Sequence, residues 1–197
     1  MKSWSVLTRG LPSSVTVNGV RVPLETDYRV GLLVSALAED TALPDGVRMD
    51  LLLRLYCKAV PERVDREALA LALLDFYAVD PDRQRVPQRI PQQKTAGRTG
   101  EPILDFDADG DRIVAAFWQA YGIDLPGCRM HWWLFMALLL SLPEDTAFMQ
   151  TVRLRTMDLR EVQDDGLRKK LRQAKGAVRL RKKDIEKGEK SIWQTEA

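Results

Sequence analysis

The densest chemistry in the sequence is a run of carboxylates, Asp105-Phe106-Asp107-Ala108-Asp109-Gly110-Asp111. It copies the first six positions of a calcium loop, in which side chains at positions 1, 3 and 5 converge on the ion and a glycine permits the turn. The remaining positions depart from that pattern. Arg112 stands where an apolar residue belongs, Ala116 where a bidentate glutamate belongs, and Pro102 precedes the loop where a helix should enter. A calcium site at Asp105, Asp107 and Asp109 is therefore the minor reading. Carboxylates at the positive end of a following helix, with Asp109 or Asp111 as its cap, are the commoner use of such a run. The sequence predicts no resident metal and no cofactor.

Catalytic residues are sparse. The one histidine, His131, sits beside Trp132 and Trp133 at the start of an apolar helix, with no Gly-x-Ser-x-Gly elbow to supply a nucleophile. The cysteines, Cys57 and Cys128, are 71 positions apart and have neither metal-ligand nor disulfide-framework spacing. Glycine-rich nucleotide loops are absent as well. The expectation is a protein that is not an enzyme, in which His131, Trp132 and Trp133 form a capping and packing motif within a scaffold. Contact with another protein falls instead to Met149, Met157 and a seam of Leu167, Leu171, Ala174, Val178 and Ile185. Those last five are spaced 4, 3, 4 and 7, as in a coiled coil, with Arg181 interrupting the pattern. Basic residues from Arg168 to Lys183 flank the seam and raise nucleic-acid binding as a rival use. Interrupting acids and the single nearby aromatic, Trp193, make a solvated helix face the commoner explanation.

The elements that must position these residues are mainly helical. Val15 and Val17, then Val20 and Val22, alternate around Asn18-Gly19, which predicts a β-hairpin because both turn positions need positive φ. Thr26 or Asp27 can cap a helix carrying Tyr28, Leu32, Leu33, Ala36 and Leu37. Helices follow over about 48–60 and 65–79, the second capped by Asp65 with Leu69, Leu73, Phe76 and Tyr77 as its apolar stripe. Residues 81–102 hold four prolines, four glutamines and two glycines, which predicts a flexible linker over 81–104. Beyond it, Ile113, Val114, Phe117, Trp118 and Tyr121 form an amphipathic face that ends at Gly122. A helix over 130–140, apolar nearly all round, is expected to be the buried centre of the C-terminal half. A third, over 145–156, is expected after a capping box at Ser141-Leu142-Pro143-Glu144. The predicted fold is mainly α: an N-terminal hairpin with helices (1–80), the linker (81–104), and a C-terminal helical bundle (105–197) with a basic terminal helix.

Composition sets the outer limits. The chain has 197 residues, 45% hydrophobic and 29% charged, which excludes fibrous and wholly disordered classes. Its formal charge of +2 averages two unlike parts. Residues 1–149 carry 16 basic and 20 acidic side chains, and residues 150–197 carry 14 and 8. The most apolar run, 132–140, is nine residues, too short for a bilayer, and the N-terminus lacks a secretory apolar region. A soluble intracellular protein with reduced thiols is expected.

A set of motifs in fixed order adds a family resemblance. Phe117-Trp-Gln-Ala-Tyr121-Gly122-Ile123-Asp124-Leu125 is followed by Met130-His131-Trp132-Trp133, then Leu142-Pro-Glu-Asp-Thr146-Ala-Phe148 and Val152-Arg153-Leu-Arg155. With Leu11-Pro12, Asn18-Gly19 and Leu24-Glu-Thr26-Asp27-Tyr28-Arg29, this pattern resembles the phage "gene product fifteen" family. The resemblance implies a protein encoded among the tail genes of siphovirus-like phages and prophages, working in the cytoplasm of the bacterial host. Its implied role is that of a tail-assembly chaperone, with the tape-measure protein, the tail-tube protein or both as partners, and with self-association open. A structural virion component is the alternative within that setting. No membrane partner is implied, and no catalytic residue carries over.

Overall fold

The computed structural model describes residues 10–40, 42–78 and 103–180. Among them the architecture is mainly helical, with seven α-helices and one two-stranded antiparallel hairpin. The segment read as a linker lies outside the described residues except for Ile103 and Leu104, as does Ile185. Contacts divide the chain into two compact units, Met1–Val86 with Arg129–Ala137, and Pro87–Cys128 with Leu138–Ala197.

The first unit opens with the predicted hairpin, β1 (Ser14–Val17) and β2 (Val20–Pro23). Val15 pairs with Val22 and Val17 with Val20, so all four valines share one face, of which Val17 and Val22 are buried. Asn18 (φ 51°) and Gly19 (φ 78°) are both left-handed, as a two-residue primed turn requires. Helix α1 (Tyr28–Glu39) starts at Asp27, whose carboxylate accepts from the Arg29 N–H at 3.1 Å. Its buried face is Tyr28, Gly31, Val34 and Ser35, while Leu33 is exposed. Helix α2 (Asp45–Tyr56) packs on α1, and α3 (Arg66–Tyr77) packs on both α2 and β1. Asp65 caps α3 as predicted, accepting from the N–H groups of Glu67 and Ala68, and Leu69, Leu73 and Phe76 are buried.

The second unit contains α4 (Gly110–Tyr121), α6 (Ala147–Thr156) and α7 (Asp165–Ala177), with a single 3-10 turn at Leu159–Glu161. Gly122 closes α4 at φ 65°, the left-handed cap expected of it. Ile113, Ala116 and Phe117 face inward, but Trp118, read as part of the apolar face, is 63% exposed. An apolar stripe fixes a helix's inner direction but not its edges, and Trp118 falls on the solvent side of that edge. Helix α6 begins two residues later than predicted, because its cap is the buried Thr146 and not Ser141. The Thr146 hydroxyl accepts from the Met149 N–H at 3.3 Å and donates to the Pro143 carbonyl at 2.8 Å.

Helix α5 (Trp132–Leu140) departs furthest from expectation. Its sequence places it in the C-terminal bundle, yet its first six residues group with the first unit and its last three with the second. It is also less enclosed than its composition suggests. Trp132, Phe135 and Leu139 are buried, whereas Leu134 is 42% exposed.

Candidate functional site

His131, Trp132 and Trp133 anchor the segment that completes the first unit. Two backbone bonds seat it: the Tyr28 N–H donates to the Met130 carbonyl at 2.8 Å, and the Trp132 N–H to the Thr26 carbonyl at 2.7 Å. The two indoles then reach the C-terminal end of α3, where helix carbonyls lack intrahelical partners. Trp132 donates to the Tyr77 carbonyl and Trp133 to the Phe76 carbonyl, each at 2.8 Å. Trp132 stacks on Tyr77 and on Phe135, Trp133 on Phe76, and Phe135 on Tyr28. A β-carbon at Gly31 would overlap the Trp132 ring, so glycine is what lets α1 accept the indole.

Both nitrogens of His131 are engaged. Nδ1 accepts from the Trp133 N–H at 3.0 Å and Nε2 lies 2.8 Å from the Pro12 carbonyl, so the neutral ring carries its proton on Nε2. Partial burial pushes its pKa below the ordinary 6.5, opposed by the Pro12 hydrogen bond. The ring thus caps the start of the helix through Nδ1 and ties it to Pro12 through Nε2. Beside it, Glu25, Thr26, Asp27, Arg129, Met130 and His131 line a polar depression. Exposed Arg129 pairs there with Glu25 at 3.3 Å and with Asp27 at 3.7 Å. The Arg129–Glu25 pair, exposed on both sides, contributes little to stability.

The carboxylate run serves the second unit internally. Asp105 accepts from the N–H groups of Asp107 and Ala108, turning the loop. Asp107 lies at the surface, its carboxyl raised above the usual value by partial desolvation and then by the charge of Asp105. Asp109 is fully buried and faces Arg155, whose side chain is 6% exposed, through bonds of 2.5 and 2.9 Å. Arg155 also donates to the carbonyls of Ile103 (3.0 Å) and Val178 (2.6 Å). One guanidinium on α6 therefore ties together the loop before α4 and the residue that follows α7. Asp109 stands at the N-cap of α4, as one of the two expected residues, but its side chain makes no capping bond there. The pairing with Arg155 spans 46 positions and has no local signature. Among the described residues, no group of three or more His, Cys, Asp or Glu side chains could hold a metal ion. Cys57 and Cys128 are free thiols, and burial pushes the Cys57 thiol up.

The residues proposed for partner contact divide sharply. Met149 is buried in α6 and belongs to the core, a correction. Met157 is half-buried, its carbonyl taken by Lys175 Nζ at 2.8 Å. Helix α7 packs on α6, and Leu171 and Val178 are accordingly half-buried. Leu167 is 50% exposed. Asp164 caps α7, accepting from the Leu167 N–H, and Arg168 donates to the Val162 carbonyl and pairs with Asp165. Lys169, Lys170 and Arg172 remain exposed along the helix. Exposed apolar residues that the sequence reading missed are Leu71 (65%) and Leu74 (44%) on α3.

Taken together, the fold and its contacts define a helical protein of two units whose polar clusters serve structure. The family model described as Bacteriophage Gp15 protein matches residues 7–180, and the chain belongs to that family. No curated protein and no solved structure matches the chain. Among the described residues, no helix is long and apolar enough to cross a membrane.

Proposed function

We infer that this phage protein is a non-enzymatic tail-assembly chaperone, acting in the bacterial cytoplasm on the tape-measure protein, the tail-tube subunit or both. The observation that carries the reading is α7. It bears an exposed Leu167 at the head of an apolar seam and a solvent face of Lys169, Lys170 and Arg172. An amphipathic client helix can pack its apolar side on the exposed Leu167, next to the Leu171 and Val178 side that meets α6, with the lysines and arginine setting its direction through acidic neighbours. The engagement of both His131 nitrogens and of the Asp109 carboxylate supports a role without catalysis, since these groups are spent on holding the fold. The same helix bears on the nucleic-acid reading. Arg168 and Lys175 are committed to main-chain carbonyls, which leaves fewer cations free to follow a phosphate backbone.

Co-expression with the neighbouring tape-measure protein tests the proposal. The tape-measure protein should be soluble and co-purify with the full chain, and Leu167→Glu should lower the co-purified amount at least about tenfold, as loss of a well-packed apolar contact predicts. If it neither co-purifies nor gains solubility, the chaperone reading is wrong. Steeply salt-dependent DNA binding that vanishes on truncation after Gly166 would instead favour the nucleic-acid alternative.

A further inference from the structure

The first unit holds Arg129–Ala137 as a receptor holds a peptide. The segment arrives after 50 intervening residues (79–128) and contributes groups whose recognition does not depend on how the chain reaches them. Without it, the Phe76 and Tyr77 carbonyls lose their indole donors, the Tyr28 N–H loses its acceptor, and Gly31 faces an empty seat. Unsatisfied polar groups and uncovered aromatic rings drive such a seat to be filled.

We propose that the seat can be filled in trans: the Arg129–Ala137 segment of a second copy docks into the first unit, linking two chains by reciprocal exchange. Several observations specify the occupant. Two main-chain bonds fix the segment's direction, and two indole-to-carbonyl bonds fix its register. The glycine at position 31 leaves room for an indole ring above α1, and the Trp132 ring occupies it. The stacking partners Tyr77, Phe76 and Tyr28 accept flat rings at three successive places. A second copy presents this same sequence. The 24 residues from 79 to 102 have a contour of up to about 80 Å, enough to reach a neighbour. Docking within one chain benefits from an effective concentration in the millimolar range, so the isolated chain favours its own segment. Exchange becomes favourable when chains fold at high local concentration or when one copy's own segment is defective.

Two full-length variants separate the seat from the segment. Trp132→Ala with Trp133→Ala removes the indoles but keeps the seat. Gly31→Leu blocks the seat but keeps the segment. Refolded together from denaturant, the two should form a 1:1 species of about twice the 22.4 kDa chain mass, containing both chains by mass spectrometry. Each variant refolded alone at the same total concentration should not form it. If either variant is insoluble alone, the mixture should recover soluble protein. A mixture whose profile is the sum of the two separate profiles overturns the proposal. A labelled synthetic peptide of residues 126–140 supplies a second readout. It should bind the double-tryptophan variant saturably by fluorescence anisotropy, and the same peptide with both tryptophans changed to alanine at least about a hundredfold more weakly. Absent binding, or equal binding by the two peptides, also overturns it.

Discussion

In the first unit the side chains that are buried from furthest along the chain are aromatic and uncharged, the charged Arg129 of that segment staying exposed. In the second they are a carboxylate and a guanidinium. Trp132, Trp133 and Phe135 close the first unit through stacked rings and neutral hydrogen bonds distributed over α1 and α3. Arg155 closes the second through bonds to Asp109, Ile103 and Val178, all made by one side chain. Ring contacts depend on area, so their loss is graded with the atoms removed. A buried ion pair is different, because removing one partner leaves the other charged and desolvated. The first closure should therefore weaken stepwise, and the second should fail at a single residue.

The largest expected effect follows from that asymmetry. Arg155→Ala takes from the buried Asp109 carboxylate its two shortest bonds, leaving it Arg112 at 3.4 Å and the Asp105 N–H at 3.2 Å, and frees the Ile103 and Val178 carbonyls; it should cost about 3–5 kcal/mol in denaturant unfolding. Replacing both partners, Asp109→Leu with Arg155→Met, should recover much of that loss, since no buried charge is then left alone. Recovery of nothing would mean that the bonds to the Ile103 and Val178 carbonyls, and not the charge pair, close the unit.

In the first unit, Gly31→Ala adds one methyl group where the Trp132 ring sits and should cost about 1–3 kcal/mol, as overpacking does. The companion change Gly46→Ala, on α2 with open space around it, should by contrast be neutral or stabilising by up to about 1 kcal/mol. Equal losses at the two glycines would contradict the close approach of Trp132 to α1.

The smallest effect is a pH dependence confined to the aromatic closure. The pKa of His131 is lower in the folded protein than its ordinary 6.5, so the unfolded chain binds the proton more readily. The histidine's contribution is full above 6.5 and is lost as pH falls from there through the folded value. Protonation also removes the Nδ1 lone pair that caps α5. His131→Asn, which retains a capping acceptor, should flatten this part of the thermal-stability profile. An unchanged slope in the variant would place the titration elsewhere.

Local chemistry was legible in the sequence. Asn18-Gly19 signalled the hairpin, Thr26 or Asp27 the start of α1 (Asp27 serves) and Asp65 that of α3, and Gly122 the end of α4, each through a rule that acts within a few residues. Pairings across long separations were not. Nothing near Asp109 announces Arg155, and nothing in the apolar run of 132–140 says which unit its faces will meet. An all-round apolar helix has no moment to orient it, so its allegiance had to come from the indole donors and the gap left by Gly31. Met149 and Trp118 exchanged their expected places for a related reason, since residue type sets a preference for burial while the neighbouring helix decides it. Of the residues read as a contact seam, Leu167 is exposed while Leu171 and Val178 are half-buried on a helix that packs on α6, a division that spacing alone does not show.

Hydrogen exchange on the full chain, alone and in complex with co-expressed tape-measure protein, tests the account most directly. Amides of residues 129–137 should be protected together with those of α1 and α3 and be unchanged by the client, because that closure is internal. Amides of α7, around the exposed Leu167, should slow on complex formation. Unaltered exchange across α7 in a complex that nonetheless forms would contradict the assignment of the client surface.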